Sequence, residues 1–381
     1  MSTLPEYRKK IDEIDEKLIA LFADRMEVSA QIAQCKKQEG IPVLDESRER
    51  QKLLDIADRS PQEIRDYTVE LYSLIFELSR SCQNRALEVK TELTGMIEKS
   101  IQTTSQLFPD SAAVACQGVE GAYSQQACTK LFKLPNIFYF SSFDAVFSAI
   151  DKGLCRYGIV PLENSTAGSV NKVYDLMRSH KFYIVKSVRL KVDHSLLAKS
   201  GTKLADIKEI YSHEQAINQC ADFLQSLGDI KVIPCENTAI AAKRVAQSDR
   251  SDIAALSSLS CMKLYGLDCV REAVQDQGNN YTRFICISKQ PEIYPGADRT
   301  SLMMILPHKA GALYKVLARF YALGINLNKL ESRPMPERNF EFMFYFDLDT
   351  SVYSPQFLQL MSELHTIGEE YAYLGSYSEV V

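Results

Sequence analysis

Between Met1 and Gln38 the chain holds no glycine, and its apolar residues keep a strict rhythm. Ile11, Ile14, Leu18, Leu21, Val28 and Ile32 fall at alternating steps of three and four once Arg25, the step after Leu21, is counted. That spacing predicts one long amphipathic helix with its stripe facing the core of a helical bundle. The first break is "EGIP" at 39–42. A second helix is expected from about Asp45 to Arg59. "SPQEI" (60–64) then opens a third, with Ser60 as N-cap, Pro61 at the first helical position and Glu63 completing a capping box. This helix runs on through "LYSLIFELSRSCQNRAL". Residues 1–90 therefore read as an all-helical, three-helix segment. Residues 91–112 turn polar and lose periodicity, which reads as a linker or a frayed helical extension.

Arg25 interrupts an otherwise apolar stripe. Burying a guanidinium without a partner is costly, so it is paired with a carboxylate, snorkels from the stripe's edge, or serves a ligand. Its company bears on the choice. Lys36 lies eleven residues on, about three turns and roughly 16 Å along the same face. The second helix opens with Asp45, Arg48 and Glu49. The third offers Ser79 and Gln83, four apart and so neighbours on one surface. Cations, carboxylates, a hydroxyl and an amide converging on a bundle interior describe a cage for a small polyanion.

The net charge of −5 rules out a global field that would gather nucleic acid or an acidic membrane, so positive charge must act locally. With 381 residues the chain is long enough for two or three domains. Its ten cysteines are scattered and form no C-x-x-C pair, which excludes zinc and redox spacings and fits free thiols in a reducing cytoplasm. The N-terminus has no apolar signal core, and no stretch approaches the roughly 18 apolar residues of a membrane span.

From Ala113 the pattern changes. "AAVACQG", "YGIVPLENS", "FYIVKSVRL", "IKEIYS", "DIKVIPC", "DIAALSS" and "TRFICIS" read as strands between helical runs such as "QAINQCADFLQSL". Such alternation predicts an α/β domain over 113–292 with a largely parallel sheet, large enough for two lobes and a cleft. Three motifs suggest anion binding there. "QGVEGAYSQQA" sets Ser124 and two glycines between strand and helix, "PLENSTAGSV" packs polar residues into a turn after an apolar strand, and "NNYTRF" starts a strand. Residues 299–381 repeat a smaller order, βαββαβ, the ferredoxin-like arrangement.

The residues now carry three resemblances. "YRKKIDEIDEKLIALFADRMEVSAQIAQCKK", "PVLDESRER" and "SRSCQ" resemble the all-helical chorismate mutase family. By position the resemblance implies a site of Arg8, Arg25, Lys36, Asp45, Arg48, Glu49, Ser79 and Gln83. The cations would hold the two carboxylates of chorismate, Glu49 its ring hydroxyl, and Gln83 with Lys36 the breaking ether oxygen. A Claisen rearrangement needs no nucleophile, general acid or cofactor, only a folded substrate and well-placed charge. Arg8 lies 28 residues before Lys36, about 42 Å along one helix, so a functional Arg8 must reach the site of a second chain, and the resemblance implies an intertwined homodimer or higher homo-oligomer.

The segment 113–290, with "YSHEQAINQC", "ENTAIAA" and Asp276 besides the three motifs, resembles the prephenate dehydratase family, which implies a two-lobed fold like periplasmic binding proteins. The resemblance ties Thr282 to catalysis, gives Arg283 to substrate, and lines the cleft with Ser124, Asn164, Ser165, His213 and Thr238. Ala122 and Asn237 depart from the usual residues. "AGALYKVL" and "LESRP" resemble an ACT regulatory domain, which implies phenylalanine binding by Gly311, Ala312, Leu313, Glu331, Ser332 and Arg333 at a dimer interface. In this order the three segments resemble a known fusion that makes phenylpyruvate from chorismate under phenylalanine inhibition. One rival is a mutase joined to a non-catalytic module that senses prephenate or an amino acid. Another, a dehydrogenase fusion, lacks its G-x-G-x-x-G fingerprint here.

Overall fold

The computed structural model describes residues 3–87, 91–335, 341–367 and 370–381. The chain divides into two compact units, Met1–Gly95 with Leu358–Ile367, and Met96–Phe357 with Gly368–Val381.

The first unit is helical. α1 (Leu4–Glu39) is uninterrupted for 36 residues and stops where Gly40 takes a left-handed φ of +69°. α2 (Glu46–Arg59) begins at Asp45, whose carboxylate caps the Arg48 N–H at 3.0 Å. The third helix starts later than the capping box predicts. Ser60 Oγ turns back to the Ile56 carbonyl (2.7 Å), so it closes α2 instead of opening the next helix. A 3₁₀ turn, Gln62–Ile64, intervenes before α3 (Arg65–Ala86).

Among the described residues the stripe of α1 is left uncovered. Ile11, Ile14, Leu18, Leu21 and Val28 are each more than half exposed, and Ile32 remains exposed. The residues α1 buries are Ser29 and Ala33, where its C-terminal half meets α3. Leu358–Ile367 belongs with this unit, where Ser81 Oγ donates to the buried Glu363 carboxylate (2.9 Å).

The stretch 91–112, expected as a linker or frayed extension, carries α4 (Glu92–Thr103). Ile97 is fully buried there, with Leu93, Met96 and Ile101 half-buried beside it, so an apolar face anchors the helix.

The second unit opens with a first lobe of β1 (Ala113–Gln117), α5 (Tyr123–Leu131), β2 (Asn136–Phe140), α6 (Phe143–Asp151), β3 (Tyr157–Asn164), β4 (Gly168–Ser169), α7 (Asn171–Ser179) and β5 (Tyr183–Lys191). A second lobe follows, with β6 (Ser195–Ala198), β7 (Glu209–His213), α8 (Glu214–Gln219), α9 (Ala221–Ser226), β8 (Lys231–Cys235), α10 (Thr238–Gln247), β9 (Ile253–Ser257), α11 (Leu259–Tyr265) and β10 (Asp268–Arg271). The chain returns to the first lobe as β11 (Tyr281–Ser288). The last module comprises β12 (Arg299–Ile305), α12 (Ala312–Ala322), β13 (Asn326–Pro334), β14 (Phe342–Asp349) and β15 (Glu370–Tyr377), with a short β16 (Glu379–Val380); α13 (Pro355–Ile367) falls between β14 and β15 in the chain, and its residues from Leu358 on belong to the first unit.

Both lobe sheets are mixed, not largely parallel. In the first, ordered β16-β5-β11-β3-β1-β2, β1 pairs parallel with β2 and β3, while β11 runs antiparallel to β3 and β5. The reason is topological: β11 re-enters from the second lobe, against the direction of the strands already laid down. The second sheet runs β10-β6-β9-β7-β8. The final module has the expected ferredoxin-like order, β13-β14-β12-β15, all antiparallel. Its Met303, Met343, Tyr345 and Leu374 share one core with Val160, Ile184 and Ile285 of the first lobe. β15 approaches β5 so closely that a Cβ on Gly375 (φ +133°) would lie 2.2 Å from the Ile184 carbonyl oxygen. No helix among the described residues is long and apolar enough to cross a membrane.

Candidate active sites

In the helical unit the stranded arginine has a partner. Arg25 is half-buried on α1, and its Nη1 donates to Ser79 Oγ of α3. Ser79 donates its hydroxyl hydrogen bond to the Ile75 carbonyl (2.7 Å), so its lone pairs are free for the guanidinium. The Arg25 guanidinium stands 5.6 Å from the Phe76 ring centroid. Burial lowers its pKa from the ordinary value, against an opposing pull from Tyr72. One turn beyond Ser79, Gln83 is 8% exposed, and its Oε1 has no hydrogen-bond partner among the described residues. Lys36 Nζ donates to the Val43 carbonyl (2.6 Å), which ties the end of α1 to the loop before α2.

Glu49 is held by Arg80, whose Nη1 lies 2.5 Å from both carboxylate oxygens. Arg80 was not read from the sequence, although it sits inside "SRSCQ". Helical periodicity cannot tell a pairing arginine from a solvated one. Asp45 and Arg48 are exposed, and Asp45 serves as the α2 cap. Arg8 stands apart. It lies in the second turn of an unbroken α1, about 42 Å from Lys36 at 1.5 Å per residue.

In the second unit a cleft of about 460 Å³ is lined by residues of both lobes. It gathers Ser124, Asn164, His213, Thr238 and Thr282 of the expected site. Two helices open onto it. α5 follows Ala122, and α10 is capped by Asn237, whose Oδ1 accepts from the Ile240 N–H (2.8 Å). Both N-termini offer backbone N–H groups to an anion. Asn237 and Ala122, the two departures from the family pattern, thus line the cleft themselves. Gly121 fixes the entry to α5. At φ +91°, its Cβ would fall 2.9 Å from Cys261 Sγ, so the turn closes against the second lobe only with glycine.

At the cleft floor Asn164 Nδ2 donates to Thr282 Oγ1 (2.9 Å) and to Asn280 Oδ1 (2.7 Å). With a lone pair of Oγ1 engaged, the Thr282 hydroxyl hydrogen is free to point elsewhere. The circuit extends through Thr166, Gln219 and His194, of which the sequence reading named only Thr166, as part of a motif. The histidine was missed because nothing in "VDHSLL" marks it before the lobes are brought together.

Two expected residues do not reach the cleft. Ser165 is exposed and clamps its own loop, donating to the Asn279 carbonyl (2.9 Å) and accepting from the Tyr281 N–H (2.9 Å). Arg283 points to the opposite face of β11, because side chains alternate along a strand and its neighbours Thr282 and Phe284 line the cleft. It is 4% exposed, paired with Glu163 (2.8 Å) and with Asp347 of the ferredoxin-like module. Lys329 of β13 also pairs with Glu163 (2.5 Å). Burial works to raise the Glu163 carboxyl, but Arg283 and Lys329 outweigh it and hold the group below its ordinary value. Asp276 likewise has a structural task, capping α9 through the Ala221 and Asp222 N–H groups.

On the module, Gly311 takes φ +81° and caps α12, where Ala312 and Leu313 form the first turn. Glu331, Ser332 and Arg333 lie on β13, an edge strand of the four-stranded sheet. Glu331 accepts from Ser169 Oγ (2.6 Å), and Arg333 pairs with Asp175 of α7 (3.1 Å).

Residues 7–84 match the family model for chorismate mutase type II, and residues 114–292 that for prephenate dehydratase. The chain is 31% identical to the bifunctional chorismate mutase/prephenate dehydratase of Escherichia coli (strain K12) over 97% of its length and 95% of that protein. It is 33% identical to an arogenate dehydratase/prephenate dehydratase of Arabidopsis thaliana, over 82% and 84% of the two chains. Among solved structures it is similar to a prephenate dehydratase from Arthrobacter aurescens in complex with L-Phe, with a TM-score of 0.64, 25% identity, and coverage of 70% of this chain and 89% of that one.

Proposed function

The chain belongs to the bifunctional chorismate mutase/prephenate dehydratase family, and from that premise we propose how its residues divide the conversion of chorismate to phenylpyruvate. In the helical unit Arg25, Lys36 and Arg48 hold the substrate's carboxylates. Gln83 and Lys36 donate to the ether oxygen as its bond breaks, and Asp45, Glu49 and Ser79 orient the rest. The rearrangement moves no proton, so the protein contributes orientation and fixed charge in a partly dry site. Arg8 reaches the site of a second copy. The exposed apolar stripe of α1 supports this arrangement, since it lacks a cover among the described residues.

In the cleft, prephenate loses CO₂ and its ring hydroxyl. The electron pair of the breaking C–C bond enters the ring, the hydroxyl leaves with the C–O pair, and one proton completes the water. Thr282 donates a hydrogen bond to that departing oxygen, while the α5 and α10 N-termini face the carboxylates. The hydrogen bond from Asn164 to Thr282 Oγ1 carries this reading, because it turns the hydroxyl into a directed donor.

The ferredoxin-like module acts as an ACT regulatory domain. Phenylalanine binds between two copies, at Gly311, Ala312 and Leu313 of one element and Glu331, Ser332 and Arg333 of the edge strand β13. The L-Phe complex of the A. aurescens relative supports that ligand. The ten cysteines are free, which supports a reducing, cytoplasmic setting. Chorismate conversion followed through prephenate to phenylpyruvate, with and without phenylalanine, tests the scheme. Accumulation of prephenate without phenylpyruvate would leave the cleft as a sensing module only.

A further inference from the structure

His194 precedes β6, is 3% exposed, and lines the dehydratase cleft. Its tautomer follows from groups whose polarity is fixed elsewhere. Asn164 Oδ1 accepts from the backbone N–H groups of Thr166 (3.0 Å) and Ala167 (2.9 Å), so the oxygen's place in that amide is settled. The other end, Nδ2, then donates to Asn280 Oδ1 and Thr282 Oγ1. Asn280 is oriented in turn, and its Nδ2 donates to Gln219 Oε1 (3.0 Å). Gln219 Nε2 donates to Thr166 Oγ1 (2.8 Å), which leaves Gln219 Oε1 as the acceptor facing His194 Nε2 at 3.0 Å. His194 must therefore carry its hydrogen on Nε2. Its Nδ1 is a buried lone pair without a partner among the described residues. Burial lowers the pKa of this imidazole, with Gln219 and Asp193 opposing and His213 adding to the fall, which favours the neutral ring.

The circuit is thus anchored at two ends, by two backbone amides at Asn164 and by one imidazole N–H at Gln219. Between them the Asn280 and Gln219 amides have one orientation that satisfies every neighbour. We propose that His194 is a positioning residue for the dehydratase reaction, whose Nε2–H holds Gln219 and, through Asn280 and Asn164, keeps the Thr282 hydroxyl aimed at the leaving group. This inference rests on Thr282 being the donor.

The test uses the full chain with prephenate as substrate. His194→Phe removes the donor and should lower kcat about tenfold, the worth of one hydrogen bond, with KM within about twofold. His194→Gln can return a donor to Gln219 and should restore kcat to within about threefold of the parent. Near-ultraviolet circular dichroism and thermal melts of the same chains report whether the second unit, which carries His194, is folded. Unchanged kcat in His194→Phe, a rise in KM alone, or no rescue by glutamine in a folded chain overturns the proposal. Nitrogen chemical shifts of the unmutated protein give a check that needs no variant: an Nε2–H tautomer supports the proposal, and Nδ1–H overturns it. Thr282→Val separates the two layers. If it keeps full kcat, the donor reading itself fails. If it is inactive while His194→Phe is not, only the role of His194 falls.

Discussion

The helical unit and the cleft each gather the polar residues proposed to meet a small dianion, yet they are finished to different degrees within one chain. The cleft is closed on itself. Asn164, Asn280, Gln219 and Thr166 satisfy one another, and Thr282 is oriented before any substrate arrives. The helical site is open. Gln83 keeps a buried oxygen without a partner among the described residues, five stripe residues of α1 lie more than half exposed, and Arg8 is about 42 Å from Lys36. The difference tracks the chemistry. A rearrangement that needs charge around a folded substrate can draw arginines from separate chains. A departing hydroxyl needs one hydroxyl held in one direction, which a local hydrogen-bond circuit supplies.

The largest expected effects split the two regions. Arg25→Ala should lower mutase kcat/KM by about 10³-fold and leave prephenate turnover unchanged, and Thr282→Ala should cut dehydratase kcat by about 10²–10³-fold with mutase intact. A folded variant that loses both activities would break the two-site division. Next in size is a mixing experiment. Arg8→Ala and Arg25→Ala chains, each mutase-deficient, should recover activity when unfolded and refolded together, because one hybrid site then has both arginines. No recovery would place Arg8 outside the partner's site.

Stability offers a smaller contrast. Gly375→Ala forces a Cβ against the Ile184 carbonyl in a left-handed backbone and should destabilise the second unit by about 3 kcal/mol. Thermal inactivation followed by both assays should show dehydratase activity failing first; coincident loss would mean that the units unfold together.

The smallest effect is a pH dependence. Glu163 has a folded pKa below its ordinary 4.5, so the unfolded chain binds its proton first on acidification. The stabilisation is present above pH 4.5 and is lost as pH falls through the lower, folded value. Chemical denaturation of Glu163→Gln against the parent between pH 7 and pH 3.5 should show their difference shrinking toward the acid end; a constant difference would deny the carboxylate that role.

Much of this was legible in residue order alone. Period 3.6 placed α1 and located Arg25, the strand–helix alternation outlined the lobes, and the βαββαβ order held through to the sheet topology. These features are local, set by helix and strand repeats and by glycine and capping residues that act within a few positions. The resemblance supplied the substrates, which periodicity could not.

Tertiary structure decided which face each residue presents and who its distant partner is. Thr282 and Arg283 are adjacent in "TRF", yet one lines the cleft and the other is sealed against Asp347, sixty-four residues away. Strand alternation requires that they diverge, but only the packing of the ferredoxin-like module says which side is wet. The stripe of α1 teaches the converse. Its rhythm forecast a helix and an apolar face but not what covers that face, because amphipathicity records that a surface is to be buried and not by what. His194 is the same case in miniature: a residue whose chemistry is written by Gln219, twenty-five positions away, and by two backbone amides beyond it.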